Sequence, residues 1–246
     1  MNDWVSNATQ GKIKEIVESP LNPDLVAILI NAIYFKGDWT YPFDPNETEN
    51  RTFHLADGTT KETPFMKETR KWAYIENDAF QAVALPYGSN QNLSMKVILP
   101  KEEIDFIKFK QLLTSANWET WNKEFQLREG TIVLPKFQMD YEVELNELLQ
   151  DLGMKTAFHH DANFSKMIYG DDPVWISKVK QKTFIDVNEE GTEAAAATSV
   201  EMVKESSIVE DVFYMEVNRP FFVAITEDLT GSILFMGLIS NPIVGE

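Results

Sequence analysis

Residues Leu25 to Phe35 are almost continuously apolar, bounded by Asp24 and Lys36. A short run that is apolar on both faces predicts a buried, central strand over Asp24–Lys36. Asn31 is the one polar interruption, and a buried amide needs hydrogen-bond partners. Further short strands are predicted over Glu47–Phe53, Thr63–Tyr74, Phe80–Pro86, Leu93–Pro100, Thr131–Phe137 and Val174–Val187. Gly58, Pro86-Tyr87-Gly88 and Pro100 mark turns between them. Apolar residues recur at helical spacing in Ile104–Leu113, Trp118–Phe125 and Leu145–Met154, the last stopping at Gly153. A short helix is also predicted near the start, capped by Asp3, stopped by Gly11, with Trp4 and Ala8 on the face toward a sheet. Strands and short helices without regular alternation predict an α+β fold, and the length allows one or two domains.

The stretch from Val187 to Phe221 breaks this pattern. A long connection without a clear period is functional or disordered far more often than it is ordinary. Its first half holds Ala194-Ala195-Ala196-Ala197, which favours helix. Its flanks are rich in Val, Ile and Phe, which favour strand. Such mixed instructions suit a segment with more than one state.

Composition narrows the function classes. The 246 residues are 43% hydrophobic, enough for a sizeable core. A net charge of −17 argues against nucleic acid and anionic membrane surfaces as partners. There is no cysteine, hence no disulfide framework, thiol nucleophile or cysteine-based metal site. No apolar run is long enough to span a membrane as a helix. The chain carries no Gly-x-Ser-x-Gly elbow and no glycine-rich phosphate loop, so no enzyme and no cofactor is expected. His159 and His160 stand beside Asp161, but adjacent histidines point to different sides, and no metal site is expected. Asn-x-Ser/Thr sequons at Asn7, Asn46, Asn50, Asn92 and Asn163 matter only in a glycosylating pathway.

Two motifs in order point to a family. Glu189-Glu190-Gly191-Thr192-Glu193-Ala194-Ala195-Ala196-Ala197-Thr198 resembles the hinge of the inhibitory serpins. Asn218-Arg219-Pro220-Phe221-Phe222-Val223, followed by Gly237-Leu238-Ile239-Ser240-Asn241-Pro242, resembles that family's C-terminal signature. The resemblance covers the chain almost end to end but only the family's C-terminal part, which implies a single truncated serpin domain over residues 1–246. It implies that helices and strands preceding Asn2 are absent, and that residues 1–246 alone do not trap a protease. No secretory signal is visible, and an extracellular location is expected over a cytoplasmic one.

The resemblance further implies a reactive-centre loop at about 189–217, offered to a protease as substrate and inserted into the main sheet after cleavage. The target is a serine protease of trypsin-, subtilisin- or elastase-like type, or a cysteine protease. The reactive bond is expected among Lys204, Glu205 and Ser206. Trp39, Lys136 and Glu189 match the family's breach, with Lys136 and Glu189 as an ion pair. Asn31 and Gln181 match its shutter, where the family often has a histidine in place of Gln181. A glutamine does not titrate, so no pH-sensitive shutter is expected. The alternatives are a non-inhibitory serpin with a carrier, chaperone or structural role, and an inert fragment.

The residues themselves are compatible with insertion. Alternate side chains of a strand share a face, and Thr192, Ala194, Ala196 and Thr198 form one small, uncharged set. A strand from Thr192 to Lys204 spans roughly 40 Å at about 3.3 Å per residue.

Overall fold

The structure is a computed structural model, and it describes residues 1–23, 25–167, 173–192 and 212–245. In chain order these form α1 (Asn2–Ala8), β1 (Ile28–Tyr34), β2 (Gly37–Asp38), β3 (Glu49–His54), β4 (Thr60–Glu76), β5 (Phe80–Tyr87) and β6 (Leu93–Pro100). There follow α2 (Phe106–Leu112), α3 (Ser115–Glu124), β7 (Gln126–Pro135), β8 (Phe137–Glu144) and α4 (Asn146–Asp151). The last strands are β9 (Lys178–Val187), β10 (Gly191–Thr192), β11 (Phe213–Glu216), β12 (Phe221–Glu227) and β13 (Ser232–Ile239). Among the described residues no helix is long and apolar enough to cross a membrane.

The chain divides into two compact units, and each is described by itself. The larger comprises residues 36–138 and 186–246. Its frame is an eight-stranded sheet in the order β11-β7-β4-β5-β6-β12-β13, with β3 on β4. β4 is seventeen residues long and holds three partners in succession: β3 opposite its start, β7 along its middle and β5 opposite its end. β6 and β12 are buried nearly throughout. Strands covered on both faces read as continuous apolar runs, which is how Phe221–Ile225 reads; in β6 the run is interrupted by Lys96, which is buried and ion-paired with Asp228 at 3.2 Å. On one face, α2 and α3 bring Phe109 and Trp121 onto Phe80, with ring centroids 6.4 and 4.6 Å away. Elsewhere Phe53 and Phe137 meet Phe221 edge-on at 6.4 and 5.7 Å, an arrangement the ring quadrupoles favour.

β5 runs through Pro86 and Tyr87, where a turn is expected, and the turn begins only at Gly88 (φ +64°). Proline interrupts a strand chiefly by lacking a donor. Here the β4 pairing of β5 has already ended at Ala84, and Pro86 contributes its carbonyl, which accepts from the Thr40 N–H at 2.9 Å.

The smaller unit comprises residues 1–35 and 139–185. β1 and β9 run parallel in an unbroken register from Ile28↔Lys178 to Tyr34↔Phe184. On the other side of β9, Lys178, Lys180 and Lys182 pair with Glu144, Glu142 and Asp140 of β8 at 3.1, 2.6 and 3.5 Å. One face of the β1–β9 pair is covered by Val5 of α1 and by Ile13, Ile16 and Val17, which cluster with Phe184.

Two expectations for this unit need correction. β1 is not buried on both faces: Leu29 is 46% exposed and Asn31 is exposed, because among the described residues of the unit nothing packs over that side. In α1, Trp4 is 61% exposed and Val5 faces inward, while Asp3 lies in the first turn without capping it. Seven residues make two turns, too few for periodicity to fix which face is covered.

Candidate functional site

The candidate site in the larger unit is built around the turn after β9. Asn188 folds the chain back: its Oδ1 accepts from the backbone N–H groups of Glu190 and Gly191 at 3.0 and 3.3 Å. A side-chain oxygen bonding forward in this way replaces a backbone turn bond. β10 therefore runs antiparallel to β9, with Thr192 opposite Val187, and pairs on its other side with β2. Gly191 has no room for a side chain. A Cβ there would collide with the Gly37 carbonyl and come within 2.7 Å of the Asp38 Cα.

The backbone of Glu189 and Glu190 is bound from the other side. Their carbonyls accept from the N–H groups of Phe43 and Trp39 at 2.8 and 2.9 Å. The Trp39 indole N–H donates to the Asn188 carbonyl at 2.9 Å, and its ring stacks on Tyr87 at 4.4 Å. The Tyr87 hydroxyl in turn lies 2.7 Å from the Thr192 hydroxyl. Thr192 and Tyr87 are both buried, so this bond satisfies two groups that water does not reach. Burial pushes the Tyr87 phenol far up, and it stays protonated.

Lys136 lies in the one-residue break between β7 and β8, with its Nζ 2.8 Å from Glu189 Oε2 and 3.1 Å from Oε1. The Thr48 hydroxyl donates to Glu189 Oε1 at 2.8 Å. Burial alone would raise the Glu189 carboxyl, but the hydrogen bonds from Lys136, from its own backbone N–H and from Thr48 outweigh it and hold the group below its ordinary value. Trp39, Lys136, Glu189, Glu190, Gly191 and Thr192 thus come together. Thr48 and Tyr87 complete the arrangement. They stand 141 and 105 residues from their partners, and no local signal in the sequence couples positions so far apart.

Asn31 and Gln181 belong to the smaller unit. They face each other in the β1–β9 register, and Asn31 Nδ2 donates to Gln181 Oε1 at 3.3 Å. The pair is exposed on the Asn31 side, not buried as the sequence suggests. Glu193, Ala194, Ala195, Ala196, Ala197 and Thr198, and the reactive-bond candidates Lys204, Glu205 and Ser206, lie outside the described residues. Among the described residues no group of histidine and carboxylate side chains is arranged to hold a metal ion. His160 instead packs edge-on against Trp175, with centroids 4.3 Å apart.

Comparison with known proteins follows the same lines. The family model described as Serpin (serine protease inhibitor) matches residues 1–242. Serpin-Z7 from Hordeum vulgare is 37% identical over 252 residues, covering 100% of this chain and 63% of the barley protein. The native-state crystal structure of the thermophilic serpin tengpin superposes with a TM-score of 0.85 at 33% identity, covering 98% of this chain and 62% of that one. Thyroxine-binding globulin in complex with thyroxine superposes with a TM-score of 0.83 at 27% identity, covering 98% and 63%. The chain therefore spans less than two-thirds of the length of the relatives it matches.

Proposed function

The chain belongs to the serpin family, and from that premise we propose that it inhibits a serine protease as a suicide substrate. The protease serine attacks a carbonyl in the loop after Thr192. The peptide bond breaks, the new amino terminus leaves, and the serine holds the loop as an acyl ester. The loop then enters the sheet as a strand before water reaches the ester. Residues 1–246 are taken as part of one serpin domain, with the loop at about 189–217.

One observation carries this reading. Gly191-Thr192 is hydrogen-bonded both to the end of β9 and to β2, with Thr192 buried against Tyr87. This is the first step of a strand addition, and each further residue extends it if its inward side chain is small. The sequence supplies Ala194, Ala196 and Thr198 at the following alternate positions. Extension also requires β1 and β9 to part, because they are paired directly over seven residues. Main-chain hydrogen bonds from a new strand replace those lost, as in other strand additions.

Within the loop, Lys204 is the only basic residue between Glu189 and Arg219. A trypsin-like protease is accordingly expected to cut Lys204–Glu205, a glutamate-specific one Glu205–Ser206, and an elastase- or subtilisin-like one near Met202 or Val203. The test is made on the whole gene product. Incubation with trypsin should give an adduct that survives SDS and a released peptide, whose mass identifies the Lys204–Glu205 bond. Thr192→Arg should instead be cleaved and let active trypsin go, because a cation would have to enter a buried position. An adduct formed equally well by Thr192→Arg contradicts insertion.

A second reading, a non-inhibitory binding protein of the same fold, is favoured by the likeness to thyroxine-binding globulin. It predicts loop cleavage with no adduct in the unmodified protein.

A further inference from the structure

In the larger unit, β11 is short but firmly set. Phe213, its first residue, turns inward and stacks on Tyr74 with ring centroids 3.8 Å apart. It fits only because residue 130 is glycine; a Cβ there would collide with the Phe213 ring. Successive side chains of a strand point to opposite faces, so Tyr214 points outward and is 52% exposed. It is nonetheless held. Arg51 Nη1 donates to the Tyr214 hydroxyl and to Glu216 Oε1, each at 3.0 Å. Gln81 Nε2 donates to the Tyr214 carbonyl at 3.1 Å. A large aromatic ring is thus offered to solvent with its position already fixed, which lowers the cost of ordering it on binding.

The register gives its neighbours on that outer face. Tyr214 lies opposite Thr131 of β7, and Thr131 opposite Thr69 of β4, with the two threonine hydroxyls 2.8 Å apart. Two and four residues back along β7, on the same face, stand Glu129, opposite Lys71, and Leu127, which is 75% exposed. Lys71 and Glu129 cancel in charge, so this stretch is neutral in a chain of net charge −17. From Leu127 to Thr131 it runs about 13 Å. β7 begins at Gln126, ahead of Gly130, where Phe213 joins it in parallel. The Leu127 end of the face therefore lies on the side from which the chain enters β11.

We propose that Tyr214, Leu127 and the Thr69–Thr131 pair form a docking surface for the protease that cuts the loop. It meets the flank of the protease cleft on the side of the departing amine, at an uncharged, apolar stretch of that flank. This rests on the loop after Thr192 being a protease substrate. Two arguments select the occupant. A protease–inhibitor interface takes about 20–30 residues a side, more than a substrate strand lying in a cleft supplies, so surface beside the loop joins it. The expected cut also lies close in the chain. Val212, itself 53% exposed, follows Glu205 by seven residues and leads directly into β11. Seven residues reach at most about 25 Å, so a protease at the Lys204–Glu205 bond stays near this face. Tyrosine is among the residues enriched at interfaces and among their hot spots.

The experiment uses the whole gene product in excess over trypsin, subtilisin or elastase, and follows loss of the intact loop in quenched samples as its concentration is raised. This gives a half-saturating concentration and a limiting rate. Both count every attack, whether an adduct or free enzyme results, so docking is tested even where inhibition fails; cleavage without an adduct counts against inhibition alone. With the protease that cuts fastest, Tyr214→Ala should raise the half-saturating concentration about tenfold and leave the limiting rate within about twofold. Tyr214→Phe keeps the ring and should stay close to the unmodified protein. Leu127→Ala leaves the bonds that hold β11 untouched, serves as the second variant should Tyr214→Ala disturb that strand, and should raise the concentration about threefold. A merely structural role for Tyr214 would instead lower the limiting rate. The proposal is overturned by a half-saturating concentration unchanged in both alanine variants, by a loss confined to the limiting rate, or by Tyr214→Phe failing as badly as Tyr214→Ala. Absence of loop cleavage by all three proteases overturns the inhibitory reading and this proposal with it.

Discussion

At the scale of single residues, the turn after β9 is held by an ion pair whose worth depends on what surrounds it. The side chain of Glu189 is nearly covered while that of Lys136 is a quarter exposed, so the pair is neither a surface bridge nor a dry one. Thr48 also bonds the carboxylate. Lys136→Met removes the cation and leaves a buried anion with one hydroxyl partner, which should cost about 1–3 kcal/mol near neutral pH. The pH dependence has a definite sign. The folded-state pKa of Glu189 lies below its unfolded value, so its stabilisation is fully present above the unfolded value of about 4.3 and is lost as pH falls through the folded one. The stability gap between the protein and Lys136→Met, measured by denaturant titration, should therefore narrow as pH drops below about 4. An equal gap at pH 7 and pH 3 would show that Lys136 acts by packing alone. The sequence names both partners here through the family resemblance, since their separation of 53 residues has no local signature. Thr48 and Tyr87 stay hidden because nothing in a threonine or in a Pro-Tyr-Gly turn signals a long-range bond.

At the scale of elements, hydrophobic pattern located β4, β5, β6 and β9 and missed much of β7 and β8. β5 and β6 are read almost to the residue, because each is a short, mainly apolar run bounded by turn residues. Thr131–Phe137, expected as one strand, is instead the end of β7 and the start of β8, divided at Lys136. Both sides of the break are apolar, so hydropathy alone carries no mark of it. In α1 the missing signal is a side-chain clasp. Asn2 Oδ1 accepts from the N–H groups of Ile16 and Val17 at 3.2 and 3.1 Å, and its Nδ2 donates to the Val17 carbonyl at 2.8 Å. This ties the segment after the helix back onto its first turn, with the Thr9 hydroxyl bonded to the Val5 carbonyl and the Ile13 N–H between them. Asn2→Ala leaves two buried N–H groups unpaired and should cost about 2–3 kcal/mol. It should also speed hydrogen exchange at Ile16 and Val17. Asn2→Asp keeps the acceptor and should recover most of the loss; if the two variants are equally destabilised, the clasp is not what holds this segment.

At the scale of the whole molecule, the pattern of partners differs sharply between the two units. In the larger one β5, β6 and β12 are buried, and β6 and β12 are hydrogen-bonded along both edges. In the smaller one β1 has β9 as its partner along one edge, and its Leu29 side is open. The α+β class was legible because strand-length and helix-length apolar runs are mixed without alternation. The openness of β1 was not legible, since a continuous apolar run describes which faces a strand is suited to cover and not whether anything covers them. Local opening free energies range from near zero at poorly covered edges up to the global stability in a doubly paired core. Peptides from β6 and β12 should therefore exchange last, near the global limit, and those covering Ile28–Tyr34 should exchange well before them. A dependence on β9 can be checked in the same experiment. Gln181→Leu removes the acceptor for Asn31 Nδ2 while leaving the backbone ladder intact, so it should change exchange at Ile30–Ala32 only slightly. Because the Asn31–Gln181 bond is exposed and long at 3.3 Å, its net contribution is on the order of 0.5 kcal/mol. A β1 as slow to exchange as β12, or a large acceleration in Gln181→Leu, would mean that the smaller unit is far better covered in solution than its described residues provide.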